Sequence, residues 1–541
     1  MSWASRRRER GRMAGRGIIG ASDSRSSPIE ENARKIQALN PDSDSQAIGR
    51  TPRIIPRAEH TISRRNISPN ALRVLYRLRE GGYQGFLVGG CLRDLLLGVE
   101  PKDFDVATSA RPEEVKRLFR NCRLIGRRFR LAHVFFGHEI IEVATFRAAS
   151  APSQGEETED DPDILPEVGA SEDNPEDEAE SDHERERDAE LAERDDDPTD
   201  RVLNEGGRIL RDNSYGTIEE DVWRRDFTCN ALYYNIEDFS LWDFTGAMED
   251  IQARRLRLIG DATQRYREDP VRMLRAARFE AKLGFTLDAD TEAGIAHLGE
   301  ALREVPAARL FDETLKLFLT GHGVKSLEVL RRRGLLDVLY PGVEKFLVRH
   351  PGSLVEKLLV AGLENTDERV RAGKSVTPTF LFTLLLYGPI AAYIEKQPQE
   401  QWGDVGTILD GCDHALREAL QRVMIPRRFS LGVRDMFALQ PQLENPRSRR
   451  VLRLIEQPRF RAGYDLLLLR AKVGMAPREV ADWWTALQAA SPQQRQDMAM
   501  ALEAARGRSG RSEGSGEGDE GGAGPDRPRR RRRRRRPAGP E

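Results

Sequence analysis

The sequence predicts an α+β fold in which a head with a small mixed sheet precedes a long, all-helical arm. Short apolar runs that look like strands are confined to the chain before about residue 245, whereas apolar spacing is almost wholly helical from Tyr266 onward. Strands and helices segregated in this way favour a sheet with helices on one side. At 541 residues the chain is also too long for one ordinary core, which predicts several domains.

Charge is distributed unevenly along the chain. Residues 155–200 hold 23 acidic residues against 3 arginines, a net charge of −20, so the remainder of a chain whose formal charge is −2 carries +18. Eight consecutive arginines occupy Arg529–Arg536. The basic remainder predicts a polyanionic partner, and the acidic segment, which has one charge sign and few apolar residues, is expected to be disordered.

Composition also excludes several classes of protein. The four cysteines are scattered and form no CxxC pair, which argues against a zinc site or a disulfide framework and is typical of a reducing cytoplasm. No apolar run reaches the roughly 20 residues that a membrane helix needs. We therefore expect a cytoplasmic protein without a transmembrane segment.

Shifts in composition divide the chain into successive segments. A disordered basic arm, 1–55, precedes the head, which comprises 56–150 and 206–262 and is interrupted by a disordered acidic insertion, 151–205. A helical neck, 263–330, a helical body, 331–505, and a disordered Arg-rich tail, 506–541, complete the chain.

Periodicity predicts the elements within these segments. In the head we expect strands at 86–88, 103–106, 133–136, 140–146 and 240–244 and helices at 72–80 and 111–120. In the neck and body the predicted helices are 271–285, 307–319, 324–339, 354–360, 380–394, 415–424, 449–456 and 460–473.

The segment 87–106 carries most of the chemical information. Its apolar run ends in Gly89 and Gly90, whose bare backbone N–H groups at a helix start suit phosphate, although the pair alone also fits a tight turn. Asp103 and Asp105 follow in what looks like a strand, so both carboxylates are expected on one face. Alone they also fit a solvated loop, but two like charges on one face usually share divalent cations. Together the two features predict metal-dependent phosphoryl or nucleotidyl transfer.

In this order and spacing the segment resembles the nucleotidyltransferase superfamily, specifically the class of bacterial poly(A) polymerases and CCA-adding enzymes. The resemblance implies a polymerase-β-like palm, ATP as a substrate, and two Mg²⁺ ions that Mn²⁺ can replace. It also implies that Asp103 and Asp105 are catalytic metal ligands and that Gly89, Gly90 and Arg93 contact the nucleotide.

A third carboxylate from a neighbouring strand usually completes such a metal site. Glu142 is the best candidate, because it is a lone charge between β-branched residues on a strand that looks buried. An unpaired carboxylate there would be costly, so we expect it to have a cation. The alternative is an edge-strand glutamate that faces water.

Arg224, Arg225 and Asp226 match the second motif of the class, written RRD. The forked donors of arginine suit a triphosphate, and Asp226 is expected in the catalytic set, where it accepts from a ribose hydroxyl or orients the arginines. Without the resemblance, such a triplet is typical of a solvated helix face.

Glu268, Asp269 and Arg272 match a third motif, EDxxR, which selects the base. On a helix the two acids would face Arg272. A carboxylate can accept from the amino group of adenine while a guanidinium donates to its ring nitrogen, and guanine presents the opposite polarity. An ordinary surface ion pair is the alternative. We interpret a further i,i+4 pair, Arg309 and Glu313, as a structural brace of the neck.

The segment 124–134 resembles the one that marks bacterial poly(A) polymerases within the class. Its Arg127, Arg128 and Arg130 add positive charge that suits an RNA backbone or a triphosphate. The arm resembles the poly(A) polymerase I family at 365–369, 425–428 and 458–465, and a basic tail is typical of that family. The whole resemblance covers about 55–150 and 208–475.

The resemblance therefore implies a polymerase that adds adenylates from ATP to RNA 3′ ends without a template and promotes RNA processing and decay. Single-stranded RNA and ATP are the expected partners, RNA-decay proteins are further candidates, and a monomer is expected. A CCA-adding tRNA nucleotidyltransferase is the nearest alternative. A non-catalytic RNA-binding scaffold is another, against which the set of Asp103, Asp105 and Glu142 argues. The acidic insertion departs from the family pattern, either as an internal competitor of RNA or as a solubility insert.

Overall fold

The computed structural model describes residues 51–126, 130–148, 201–203, 209–212 and 215–512. Contacts divide the chain into two units, Met1–Arg53 and Ile54–Glu541. The elements below belong to the second unit, apart from the first residue of the first strand. Most of the expected basic arm, acidic insertion and Arg-rich tail lies outside the described residues.

The strands lie in the head and at the start of the arm. They are β1 (Arg53–Ile55), β2 (Gly85–Val88), β3 (Asp105–Thr108), β4 (Cys122–Ile125), β5 (Leu131–Phe136), β6 (Glu139–Thr145), β7 (Arg201–Leu203), β8 (Ile209–Asp212), β9 (Leu232–Asn235), β10 (Leu241–Asp243), β11 (Arg255–Leu256) and β12 (Thr286–Leu287).

Helices dominate the rest of the described chain. Those of the head are α1 (Pro69–Glu80), α2 (Gly90–Leu96), α3 (Pro112–Leu118), α4 (Ile218–Arg224) and α5 (Ala247–Gln252). Those of the neck are α6 (Ala262–Glu268), α7 (Val271–Leu283), α8 (Ala289–Leu298), α9 (Ala307–Phe318) and α10 (Gly323–Arg332). Those of the body are α11 (Leu335–Leu339), α12 (Pro341–Arg349), α13 (Leu354–Arg371), α14 (Pro378–Ile394), α15 (Val405–Leu420), α16 (Arg427–Glu444), α17 (Ser448–Ile455), α18 (Phe460–Lys472), α19 (Arg478–Ala489) and α20 (Pro492–Ser512).

The head is built on one mixed sheet, as the sequence predicts. Its strand order is β1-β10-β9-β2-β3-β6-β5-β4. Strand β2 runs antiparallel to β3 and β9, whereas β3 and β6 are parallel. A parallel pair needs a crossover, and α3 with the hairpin β4–β5 forms it. The central strands β2, β3 and β6 thus lie side by side.

Helices cover both faces of the sheet, so the expectation of helices on one side was wrong. Leu75 and Leu78 of α1 belong to the same core as Leu87 of β2. Val222 of α4 belongs to a second core with Phe86, on the other face. The reason is the unbroken apolar run of β2, whose alternate side chains point to opposite faces and must both be buried.

The acidic insertion begins and ends at one place. Arg147 pairs with Tyr215 in an isolated antiparallel bridge, and the Gly216 N–H donates to the Phe146 carbonyl at 2.9 Å. A Cβ on Gly216 would stand 2.5 Å from the Ala148 backbone, so only glycine fits. After the gap, the described chain begins again with the antiparallel pair β7–β8. This pair starts before residue 206, the position at which we expected the head to continue.

The predicted helices of the arm are present, but several bounds differ. The expected helix 324–339 is divided into α10 and α11 by Gly334, whose φ of +72° ends a helical run. Helices α8, α12, α16, α19 and α20 were not predicted. Helix α20 runs to Ser512, beyond residue 506, where we expected the tail to begin. Within the described residues, no helix is both long enough and apolar enough to cross a membrane.

Candidate active site

The central carboxylates lie where β2, β3 and β6 meet. Asp105 is the first residue of β3 and pairs with Val88 on one side and with Glu142 on the other. Residues opposite one another on adjacent strands share a face and are roughly 5 Å apart. The sequence therefore correctly placed Glu142 next to Asp105. Asp103 precedes the strand, so the argument that the two aspartates share a strand face was wrong.

A glycine turn brings the backbone close to Asp105. Gly89 has a φ of +83° and a ψ of −153° and starts α2. A Cβ at this residue would stand 3.4 Å from the Asp105 Oδ2 atom. A Cβ on Gly90 would stand 3.0 Å from the guanidinium of Arg93. The two glycines thus form a tight turn that also permits close approach to the site.

Arg93 lies beneath this turn. Its side chain is only 2% exposed. The guanidinium donates to Asp94 Oδ1 at 2.8 Å and to Asn230 Oδ1 at 2.6 Å. These contacts favour a positioning role for Arg93, which fixes α2 against the loop before β9, and its contact with a nucleotide stays a prediction.

Glu142 has a neighbour that the sequence argument missed. The Nε2 atom of His133 lies 3.2 Å from Glu142 Oε1, and the glutamate side chain is 26% exposed. His133 pairs with Glu142 in the β5–β6 hairpin. Counting residues outward from the turn at Gly137 places the two opposite one another, so this register could have been predicted.

The RRD motif begins at the last residue of α4, and side chains of several elements contact it. Arg225 donates to the Tyr233 hydroxyl at 2.8 Å and to Asp221 Oδ2 at 3.0 Å. Arg265 of α6 donates to the carbonyls of Arg224 and Arg225 at 2.9 and 2.8 Å. A cation at a helix C-terminus satisfies carbonyls that have no partner within the helix.

Asp226 forms a buried ion pair with Arg275 of α7. Its Oδ2 atom accepts from Arg275 Nε at 2.8 Å and Nη2 at 2.7 Å, and its Oδ1 atom accepts from the Phe227 N–H at 2.7 Å. Burial alone would raise the pKa of Asp226, but Arg275 and the backbone N–H hold it below the ordinary value. Both oxygens of Asp226 already accept from the protein, which favours a positioning role for this residue. Its catalytic role stays a prediction.

The EDxxR motif does not lie on one helix. Glu268 ends α6, Asp269 is extended and Pro270 precedes α7. Proline disfavours helical geometry in the residue before it, so the helical spacing that we assumed was wrong. One contact survives: Arg272 Nη1 lies 3.6 Å from Glu268 Oε2. Burial, together with the charge of Arg265, lowers the pKa of Arg272 to about 10.

Asp269 pairs with Arg309 of α9 rather than with Arg272. Its Oδ2 atom accepts from Arg309 Nη2 at 2.9 Å. Glu313 instead lies 3.8 Å from Arg278 and 3.7 Å from Lys316. The expected pairing of Arg309 with Glu313 was therefore wrong, although both residues do brace the neck.

Arginines on the buried face of α7 were missed as a group. Arg272, Arg275 and Arg278 are spaced three residues apart and are 4%, 3% and 1% exposed. Arginine is almost never fully buried unless it is paired, so the sequence alone favoured a solvated position. The signal that could have found them is their regular spacing within an otherwise apolar helix.

Comparison with known proteins places this site in a family. A model of the "Poly A polymerase head domain" matches residues 85–257. Models of the "Probable RNA and SrmB- binding site of polymerase A" and of the "Polymerase A arginine-rich C-terminus" match 284–347 and 405–537. The chain is 40% identical to Poly(A) polymerase I of Salmonella typhi over 87% of its length and 93% of that protein. The chain belongs to the poly(A) polymerase I family.

The chain is similar to further proteins, some of them with other names. Poly(A) polymerase I of Haemophilus influenzae is 41% identical over 82% of this chain and 90% of that protein. A CCA-adding enzyme of Leuconostoc mesenteroides is 30% identical, but over only 50% of this chain and 54% of that protein. Among solved structures, a "tRNA-processing enzyme (apo form I)" covers 82% of this chain and 99% of its own, with 21% identity and a TM-score of 0.48.

The family's basic segment is only partly described. Arg127 and Arg128 lie outside the described residues. Arg130 is 23% exposed at its side chain and lies 3.1 Å from Glu113 of α3. Its predicted contact with RNA stays a prediction.

The donor set fits the divalent metal that this polymerase family implies. Asp105 and Glu142 offer hard oxygen ligands from directly paired strands. Across the described residues, no three His, Cys, Asp or Glu side chains are already grouped for a metal ion. Like charges repel, so carboxylates without a cation between them are not expected to converge.

Gly89→Ala tests whether the turn serves the polymerase site or only the fold. Both Gly89→Ala and the control Gly98→Ala place a side chain at positive φ, which costs roughly 1–3 kcal/mol in urea unfolding. Only at Gly89 does the new Cβ meet Asp105, since nothing lies within 4 Å of Gly98. We expect nucleotide addition to fall in Gly89→Ala alone. Equal activity in the two variants would contradict a role for the close approach.

Proposed function

We propose that this polynucleotide adenylyltransferase transfers AMP from ATP to RNA 3′ ends without a template. The observation that carries the proposal is the register of Asp105 with Glu142 beside the Gly89 turn. Similarity to Poly(A) polymerase I over nearly the whole length of that protein supports adenylate addition. ATP and RNA are then the substrates.

We assign Asp103, Asp105 and Glu142 as ligands of two Mg²⁺ ions, which Mn²⁺ can replace. Such a pair would neutralise phosphate charge and hold the attacking and leaving oxygens. Gly89 and Gly90 let the backbone approach the triphosphate, and Arg224 and Arg225 add positive charge near it. In this scheme the protein contributes mainly positioning and electrostatic complementarity.

The base-selection role falls to Asp269 and Arg272. Arg309 fixes one oxygen of Asp269, and the Arg265 carbonyl accepts from Arg272 Nη1 at 3.0 Å. The Arg272 Nε atom is buried and has no hydrogen-bond partner among the described residues. An unsatisfied buried donor is costly, and adenine offers ring-nitrogen acceptors that fit it. Glu268 orients Arg272 from the preceding helix.

The CCA-adding activity remains the second candidate, since relatives with that name match half of the chain. The two activities differ in their products. Purified full-length protein should elongate an unstructured RNA with ATP alone, whereas a CCA-adding enzyme would stop after C, C and A on tRNA. A monomeric state, a cytoplasmic location and RNA-decay partners stay predictions.

Asp105→Asn should abolish adenylate addition while leaving RNA affinity unchanged. Loss of one of two like charges relieves repulsion, so unfolding in urea should not become easier. We expect the rate to fall by more than about 100-fold. Asp337→Asn, on the exposed surface of α11, is the control. Substantial activity of Asp105→Asn in Mg²⁺ would contradict the assignment of Asp105 as a metal ligand.

Arg309→Gln should weaken the preference for ATP over GTP and CTP. Without Arg309, Asp269 is no longer fixed, and a site that reads hydrogen bonds loses its discrimination when its groups move. The measurement is the ratio of kcat/KM values for the separate nucleotides, with Arg303→Gln on the neck surface as the control. A lower rate with an unchanged ratio would instead indicate a purely structural pair.

A further inference from the structure

A cavity lies in the head, apart from the carboxylates of the candidate active site. Its volume is about 560 Å³, within the range of pockets that bind ligands. It is formed by the segment before α1, by α1 itself and by the end of β9. The lining includes three arginines and three aromatic side chains: Arg57, Arg64, Arg65, Tyr76, Tyr234 and Phe239.

The register separates this cavity from the carboxylates. Val88, at the Gly89 end of β2, pairs with Tyr233, and β9 runs from there toward the other end of β2. Phe239 lies in the turn after β9. Tyr234 belongs to the core on the α1 face, whereas Asp105 shares its strand face with Ala107, which belongs to the opposite core. The cavity is thus at the other end and on the other face of the sheet.

The three arginines of the cavity are exposed. Arg57 donates to the His60 carbonyl at 2.9 Å, and Arg64 donates to the Tyr76 hydroxyl at 3.2 Å. None of the three arginines forms an ion pair with an acidic residue in the described part of the chain. Unpaired arginines that are grouped in one place attract phosphate, because their forked donors match its oxygens.

The aromatic side of the cavity is preorganised. The Arg64 guanidinium lies 4.4 Å from the ring centroid of Phe239. Phe239 has a φ of +62°, which is costly for a residue other than glycine. The His60 Nε2–H donates to the Phe239 carbonyl at 2.9 Å and holds the turn in this conformation. Phe239 packs against the core and also presents a fixed aromatic ring beside the exposed Arg64 at the edge of the cavity.

We propose that this cavity is an accessory site for single-stranded RNA, upstream of the 3′ end that is extended. Guanidinium groups would bind the phosphates, and the partly exposed rings of Tyr76 and Phe239 or a guanidinium plane would stack on bases. The Tyr76 hydroxyl is already occupied by Arg64, so little is left to read base edges, and the site should tolerate any sequence. The proposal rests on the proposed function, since RNA is the substrate that it assumes.

RNA binding by a charge-reversal pair tests the proposal. Arg64→Glu with Arg65→Glu alters the cavity, and Arg73→Glu with Arg77→Glu on α1 changes the charge equally outside its lining. Affinities are measured without ATP for an unstructured RNA of about 40 nucleotides.

We expect the cavity variant to bind this RNA roughly 5- to 10-fold more weakly. The slope of log K against log salt should fall by about 1.4, since each neutralised single-strand phosphate contributes about 0.7. The control pair should bind this RNA like the wild type.

Equal losses of affinity in the cavity variant and the control would contradict the proposed site and indicate general electrostatic attraction instead. Unchanged RNA binding in both variants would also contradict the site. RNA that carries a photoreactive base gives an independent check. The upstream label should crosslink to the peptides with Tyr76 or Phe239, and a label at the 3′ end should not. Because these readouts need no catalysis, a wild type that binds RNA through the cavity but adds no AMP would refute the proposed function alone.

Discussion

Asp226 and Arg275 join the head to the neck through a largely buried charge pair. The carboxylate is 9% exposed and the guanidinium 3% exposed, and the two are 2.7 Å apart. Burying either charge alone would cost several kcal/mol. The pair therefore fixes the RRD loop against helix α7, because separating the two would leave two unpaired charges in an apolar core.

The other contacts of the site depend on that arrangement. With α7 fixed, Arg272 lies beside Glu268, and Arg265 reaches the carbonyls that end α4. Arg309 then holds Asp269 from the next helix of the neck. Separate polar contacts from several elements thus support the groups that we assign to the triphosphate and to the base.

The sequence predicted the mixed sheet, many helices of the arm and a neighbouring strand that carries Glu142, because periodicity and short motifs are local signals. It failed where distant residues meet. Nothing local indicated that Asp226 would pair with Arg275 or Asp269 with Arg309, since their partners are many residues away. The helical reading of the EDxxR segment overlooked Pro270, whose effect on Asp269 was predictable. His133 could also have been found by counting the register of its hairpin.

A double-mutant cycle of Asp226→Asn and Arg275→Gln, measured by urea unfolding across pH, tests the central pair most directly. We predict a coupling free energy of at least about 2 kcal/mol near neutral pH. Burial raises the pKa of Asp226, but Arg275, the Phe227 N–H and Arg272 together hold it below the ordinary value. The coupling should therefore be complete above the ordinary carboxyl pKa and lost as pH falls through the lower, folded-state pKa. Additive effects, within about 0.5 kcal/mol at neutral pH, would contradict the account.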